Sequence, residues 1–308
     1  MRHETQPTEN FAADFQAIRE AKHAPRRERL RRLEPYVLAR FATFVALASQ
    51  LETVPRRNLS RLAKDALRHC YDGPGQNLSR MKGEFLGGLS KAALARCPYC
   101  MLRQPGTIDH FLPIDLYPEF AALVLNWVYT CGPCNQRKGI RLVDVPRAIL
   151  SPYFDGISTT QPLLYAQVSI VSNTPRVIFD VPDPNPLQAQ ATLSGIAKRQ
   201  FEELGLKKSL ELEANSVLTS TIGEIVYEAA GQISAQILTD RLQARRANLE
   251  DLGINDWQRR LYEAMEVCPD LLAYVNGRIA ARPPKQPPPP PHDLSIVLMA
   301  QAIAAAGA

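Results

Sequence analysis

Residues 97–139 read CPYCMLRQPGTIDHFLPIDLYPEFAALVLNWVYTCGPCNQRKG, and this stretch decides the fold. Cys97 and Cys100 make one CxxC turn; Cys131 and Cys134 make a second. Each turn aims two thiolates at one point, and two turns complete the tetrahedral sulfur site that Zn²⁺ prefers. All four ligands come from protein, so the expected zinc is structural. Residues 101–130 separate the turns, more than the roughly 15–20 of an ordinary zinc ribbon. Something folded must fill the gap. Two unrelated CxxC turns, or a redox motif, are the plainer alternatives. The chain has six cysteines, and four of them fall in this pattern, which favours zinc. Cys70 and Cys268 read as buried thiols behaving like small apolar residues.

Before the first turn the pattern is helical. Leu30, Leu33, Val37, Phe41, Phe44, Ala48 and Leu51 recur at steps of three or four, the signature of one helix face. Pro35 lies inside that run, so a helix begins or kinks there. A second stripe runs through Leu59, Leu62, Ala63, Ala66, Leu67 and Cys70 to the turn signal at residues 72–75. A third runs through Leu78, Met81, Phe85 and Leu89 toward Arg96.

After the second turn, residues 164–171 and 176–181 are runs of β-formers separated by Ser172-Asn173-Thr174-Pro175, which reads as a hairpin. Helical periodicity returns from Leu187 to Ala281. Leu210, Ala214, Val217, Thr221, Ile225, Ala229, Ile233 and Ile237 mark one face of a long helix. Asn255 or Asp256 caps a later one holding Trp257, Leu261 and Met265. Residues 283–291 form a proline-rich spacer ahead of an apolar tail at 294–308. The fold class is therefore α+β, mostly α. The expected division is a helical arm at 1–95, the cysteine segment at 96–150, a loop and hairpin at 151–186, helices at 187–282, and the spacer and tail at 283–308.

Composition narrows the function classes. The 308 residues are 45% hydrophobic, enough for a sizeable core, and carry a formal charge of +5, which permits a nucleic-acid partner without demanding one. No run approaches the roughly 18 apolar residues of a membrane span. The first residues lack a signal-peptide pattern. The expected compartment is a reducing cytoplasm, where paired cysteines read as metal ligands before disulfides.

Between the cysteine pairs lie Thr107-Ile108-Asp109-His110-Phe111-Leu112-Pro113 and Asn126-Trp127-Val128-Tyr129-Thr130; Asn135-Gln136-Arg137-Lys138-Gly139 follows. Phosphodiester hydrolysis needs an activated water and a sink for the leaving oxygen's charge. A histidine near its ordinary pKa of about 6.5 takes a proton at neutral pH, and a carboxylate and an amide oxygen are hard ligands suited to Mg²⁺. In an extended strand Asp109 and His110 point to opposite faces.

The order cysteine pair, DH-x-x-P, N-hydrophobic, cysteine pair, N-x-x-K resembles the HNH endonuclease family over roughly forty-five residues. The resemblance implies a ββα-metal finger. The DH pair ends the first strand, the middle Asn sits near the second, and the last position opens the helix. It implies His110 as general base, Asp109 and Asn135 as ligands of a catalytic Mg²⁺ or Mn²⁺, and Asn126 as a brace for the loop that aims His110. The family often has His where Asn135 stands; an amide there shifts preference toward Mg²⁺ or Mn²⁺. Lys138 and Arg141 read equally as contacts to the scissile phosphate or as solvated helix-end cations.

The plainer alternatives are a turn role for Asp109 and helix caps for Asn126 and Asn135. His3, His23, His69 and His292 read as surface or satisfied core residues. The cluster Arg26, Arg27, Arg29, Arg31 and Arg32 is a DNA-backbone contact or a solvated helix face.

The DHFLP form of the motif, Tyr117-Pro118-Glu119-Phe120 and the later PYFD segment also resemble stand-alone HNH proteins of Septu-type and retron-linked anti-phage systems. That looser likeness implies double-stranded DNA as target and an ATPase partner. The rivals are an RNA-cleaving enzyme on the same finger, a non-catalytic zinc module that binds nucleic acid, and a scaffold whose helical arms matter more.

Overall fold

The computed structural model describes residues 1–283 apart from 9, 74, 141–143, 145 and 184–190. The expectations for Arg141, the spacer after Pro283 and the apolar tail lie outside the described residues. The N-terminal helices are α1 (Phe11–Glu20), α2 (Arg26–Ala46), α3 (Arg61–Asp72), α4 (Gln76–Gly87) and α5 (Lys91–Ala95). Next come strand β1 (Thr107–His110), strand β2 (Trp127–Thr130) and helix α6 (Gly132–Lys138). A second hairpin pairs β3 (Tyr165–Val171) with β4 (Thr174–Asp180). Helices α7 (Ala191–Glu203), α8 (Leu206–Glu228), α9 (Ala235–Ala247), α10 (Trp257–Glu266) and α11 (Leu271–Ala280) complete the chain. The architecture is α+β, mostly α, with two separate antiparallel pairs of strands.

Side-chain caps fix many helix starts. Ser60, Ser90 and Ser234 accept from the amides of Ala63, Ala93 and Ile237, three residues on, each satisfying one orphan donor of the first turn. Asp256 does this for α10. Asn255, the other candidate, instead accepts from the amides of Leu163 and Leu164 and ties the loop before β3 to α10.

Several boundaries differ from the periodicity. Pro35 sits inside a helix that continues from Arg26 to Ala46. Leu62, counted in the buried stripe, is exposed, and Cys268 is half-buried rather than buried. The hairpin turn is tighter than the sequence suggests. Ser172 and Asn173 take φ of 50° and 57°, a two-residue turn of the type that matches strand twist, so Thr174 and Pro175 join β4. The long stripe ending at Ile237 is two helices. α8 stops at Glu228, and α9 restarts behind its Ser234 cap, a break that spacing alone cannot reveal because Ile233 keeps the period by chance.

One buried cluster runs through all these elements, from Phe15 and Phe44 through Trp127 and Phe179 to Leu218 and Val275. Helix α8 packs on β4, α10 and α11 pack on β3, and both of these helices also touch α8. Within α8, Leu210, Leu218, Ile222 and Ile225 are almost fully buried, as is Leu242 of α9. Much of the apolar arc of these helices is thus covered within the chain, although Leu212, Tyr227 and Ile237 remain exposed. Among the described residues no helix is long and apolar enough to cross a membrane.

Candidate functional site

The cysteine segment folds as a short hairpin followed by a short helix. β1 and β2 are antiparallel, with Asp109 opposite Val128 and His110 opposite Trp127. The Cys97–Cys100 turn precedes β1. Met101 takes φ of 55°, its amide bonds the Cys97 carbonyl at 2.8 Å, and the Leu102 amide donates to Cys100 Sγ at 3.4 Å. The second pair straddles the start of α6, where Cys131 is the N-cap residue and Gly139, at φ of 50°, ends the helix. Only a residue tolerant of positive φ ends a helix this way without strain.

These two turns bring the four sulfurs of Cys97, Cys100, Cys131 and Cys134 within 4.8 Å of one another, all buried. Cys100 Sγ and Cys131 Sγ are 3.9 Å apart. A tetrahedral site with Zn–S bonds of about 2.3 Å has sulfur–sulfur edges of about 3.8 Å. The donor set and its spacing therefore fit one zinc ion. Hydrogen bonds from its three neighbours push the Cys100 thiol well down toward thiolate, while burial pushes Cys97 up. Four sulfurs this close share protons unequally unless a cation neutralises them.

On β1, Thr107 and Asp109 share one face, and the helix α6 lies over it. Asn135 Nδ2 donates to Thr107 Oγ1 at 3.4 Å. One turn later, Lys138 Nζ donates to Asp109 Oδ1 at 3.0 Å and to the His110 carbonyl at 2.7 Å. Tyr99 Oη donates to Asp109 Oδ2 at 2.8 Å. Burial pushes the Asp109 carboxyl up, against the pull of Lys138; burial pushes the Lys138 ammonium down, against the pull of Asp109. Lys138 is 1% exposed and paired with Asp109, so it is not the solvated helix-end cation that was one reading from sequence. Its charge is spent inside, because a carboxylate buried beneath α6 needs a counter-ion.

His110 points to the opposite face. Its Nε2 meets the Ala121 carbonyl at 2.9 Å, and Trp127 Nε1 donates to the same oxygen at 2.9 Å. A carbonyl only accepts, so Nε2 carries the proton. Burial holds the ring neutral, pushing its pKa down to about 3. Nδ1 is then the lone-pair nitrogen, and no described residue hydrogen-bonds it. The ring is flanked by Tyr71, edge-on at 4.3 Å between centroids, and by Trp127 at 6.3 Å.

Asn126 is fully buried at the residue before β2. Its Oδ1 accepts from the Leu112 amide at 2.7 Å, and its Nδ2 donates to the Leu112 carbonyl at 2.9 Å. The loop that leaves His110 is thus pinned two residues on, and the Phe111 amide bonds the Asn126 carbonyl at 2.8 Å.

The surroundings lock this unit from both sides. Arg40 of α2 bonds Glu119 at 2.8 Å. Tyr153 Oη donates to the Trp127 carbonyl at 2.8 Å. Gln200 of α7 donates to the Tyr99 carbonyl at 2.7 Å while accepting from the Leu150 amide at 2.6 Å. Tyr99, Tyr71, Gln200 and the Ala121 carbonyl escaped the sequence reading. Only Tyr99, inside the first cysteine turn, carried a positional signal. In the arginine cluster, Arg31 pairs with Glu20 and Glu28, and Arg27 faces Glu28, so part of that charge is neutralised locally.

No family model matches the chain, and no solved structure matches it. Over 221 residues the chain is 27% identical to Protein ea31 of Escherichia phage lambda, an alignment covering 67% of this chain and 73% of that protein.

Proposed function

We propose that this chain is a metal-dependent nuclease of the HNH type that hydrolyses phosphodiester bonds in DNA. The observation that carries the proposal is the state of His110, a neutral ring with its tautomer set by a backbone carbonyl and Nδ1 left as acceptor. It ends a strand whose other face carries Asp109 beneath α6. A general base needs an unprotonated nitrogen held in one orientation, and this one has both. An arriving anionic phosphate raises the pKa of such a ring, which strengthens it as a base when substrate is in place. His110 is the last residue of β1, so a phosphate lying across the strand's tip meets groups from both faces.

Asp109 and Asn135 offer the oxygens for a divalent cation. Asn135 commits only its Nδ2 among the described residues, and the Asp109 oxygens, bonded by Lys138, Tyr99 and the His110 backbone, have more lone pairs than these bonds use. A bound Mg²⁺ or Mn²⁺ would stabilise charge on the leaving oxygen. The Lys138 ammonium stands beside the same carboxylate, and direct coordination requires it to yield Oδ1. Zinc in the four-cysteine site would staple the hairpin to α6 and take no part in the chemistry.

The engagement of both Asp109 oxygens favours a second reading, a zinc-stapled module that binds nucleic acid without cutting it. A substrate panel separates the two. Plasmid DNA, single-stranded DNA and RNA are each incubated with Mg²⁺, Mn²⁺ or chelator. The proposal expects metal-dependent cutting of DNA; cutting of RNA alone moves the substrate class, and binding without cutting of any substrate selects the second reading. The apolar positions of α8 and α9 are mostly covered within the chain, so they carry no argument for an ATPase partner.

A further inference from the structure

We infer that Lys82 of α4 is the cation that meets the nucleic-acid phosphate at the His110 site, supplied by the N-terminal helices and not by the cysteine segment. The inference rests on the nuclease reading above and deepens it. A site that handles a phosphodiester anion needs an accessible positive charge beside the base. Two described cations, Lys138 in the cysteine segment and Arg147 in the loop behind it, do not serve. Lys138 is locked to Asp109. Arg147 is 4% exposed and paired with Glu52 and Asp155.

Lys82 differs in each respect. Its Nζ stands 3.9 Å from the centroid of the Tyr71 ring, and that ring stands 4.3 Å from the His110 ring. The two steps keep the ammonium within about 8 Å of the imidazole, a span that one phosphate group with its ester oxygens bridges by charge-assisted hydrogen bonds. Among the described residues no carboxylate forms an ion pair with Lys82. The side chain is half-buried, and burial pushes its pKa down, partly opposed by Asp72. An ammonium that is partly desolvated, resting on an aromatic face and without an ion-paired carboxylate among the described residues, gains most from a phosphate oxygen. Tyr71, at the end of α3, thus touches both the His110 ring and the Lys82 ammonium.

The test uses the full chain and three forms of it: wild type, Lys82→Met and Lys82→Arg. Methionine keeps an unbranched stem on Tyr71 and removes the charge. The probe is a random-sequence duplex oligonucleotide, or a single-stranded RNA if that is what wild type cuts. Two quantities are read: the slope of log affinity against log salt, and kcat/KM for cleavage. Losing one phosphate contact lowers the magnitude of the slope by about 0.9 on duplex, or about 0.7 on a single strand. The expected result is that fall in Lys82→Met, with kcat/KM down at least about tenfold, and recovery of both in Lys82→Arg. Wild-type slope and rate in Lys82→Met overturn the inference while leaving the nuclease reading intact. An equal loss of rate in both variants with an unchanged slope also overturns it, since that marks a packing role. A wild-type chain that neither binds nor cuts any probe sinks the nuclease reading and this inference together.

Discussion

Residues 97–139 and residues 165–282 solve the same problem by opposite means. The first region has two four-residue strands and a seven-residue helix, too little surface to bury a core of its own. It is held by four clustered sulfurs, an ion pair beneath α6 and a buried amide that grips the Leu112 backbone. The second region has seven-residue strands and a 23-residue helix, and its interior is Leu210, Leu218, Ile225, Leu261 and Val275. The small unit adds polar and metal-ligand chemistry to the apolar side chains it lends the shared core, Phe111, Phe120 and Trp127 among them, while the large one is specified by apolar area. The small unit therefore carries residues whose identity is dictated atom by atom, and these are the residues that chemistry can use.

The largest effect that separates the regions is metal removal. Chelation, or Cys97→Ser with Cys131→Ser, is expected to unfold residues 97–139, because a structural zinc supplies about 10–16 kcal/mol of apparent binding energy in small sites. Hydrogen exchange should show amides of β1, β2 and α6 losing protection while α8 and β4 keep theirs. Equal protection in both regions after verified zinc loss would erase the contrast.

Next in size is the ion pair. Lys138→Ala leaves Asp109 buried without its cation, which costs about 3–5 kcal/mol, read as a drop in the denaturation midpoint. The double variant Lys138→Met with Asp109→Leu is expected to recover much of that loss, since an apolar pair of similar volume avoids the desolvation penalty. A near-neutral Lys138→Ala would mean that the pair is open to solvent. In the helical region the matching change is Leu218→Ala, expected to cost about 2–5 kcal/mol through lost burial and a residual cavity. That cost should be insensitive to zinc.

How much of this was legible beforehand follows the same division. The cysteine pairs could be read from spacing, and Asp109, His110, Asn126 and Asn135 stand in local motifs whose family resemblance implied their strand, loop and helix positions. Lys138 sat in the motif too, yet its inward direction could not be seen, because burial of a lysine depends on a carboxylate 29 positions earlier in the chain. Tyr71 and Lys82 lie on helices with ordinary periodicity, and nothing local marks them as neighbours of His110. In the helical region, period gave away the buried faces but not the break at residues 229–234, where the apolar spacing runs on through a loop.

A smaller effect sharpens the account of the loop. Asn126→Ala removes the partners of both the Leu112 amide and the Leu112 carbonyl, each costing about 1–3 kcal/mol when left buried and unpaired. Cleavage should fall more than stability does, since the same loop sets the direction of His110. A loss of stability with unchanged cleavage would separate the brace from the site.

The proposed function has His110 act on a phosphodiester. The most direct measurement is single-turnover cleavage of plasmid DNA by wild type and His110→Ala, matched for zinc content and for DNA binding, in Mg²⁺ or Mn²⁺. The expected result is metal-dependent cutting by wild type and a loss of about 10²–10⁴-fold in the variant. Cutting by His110→Ala at the wild-type rate, or no cutting by wild type with either metal, would contradict it.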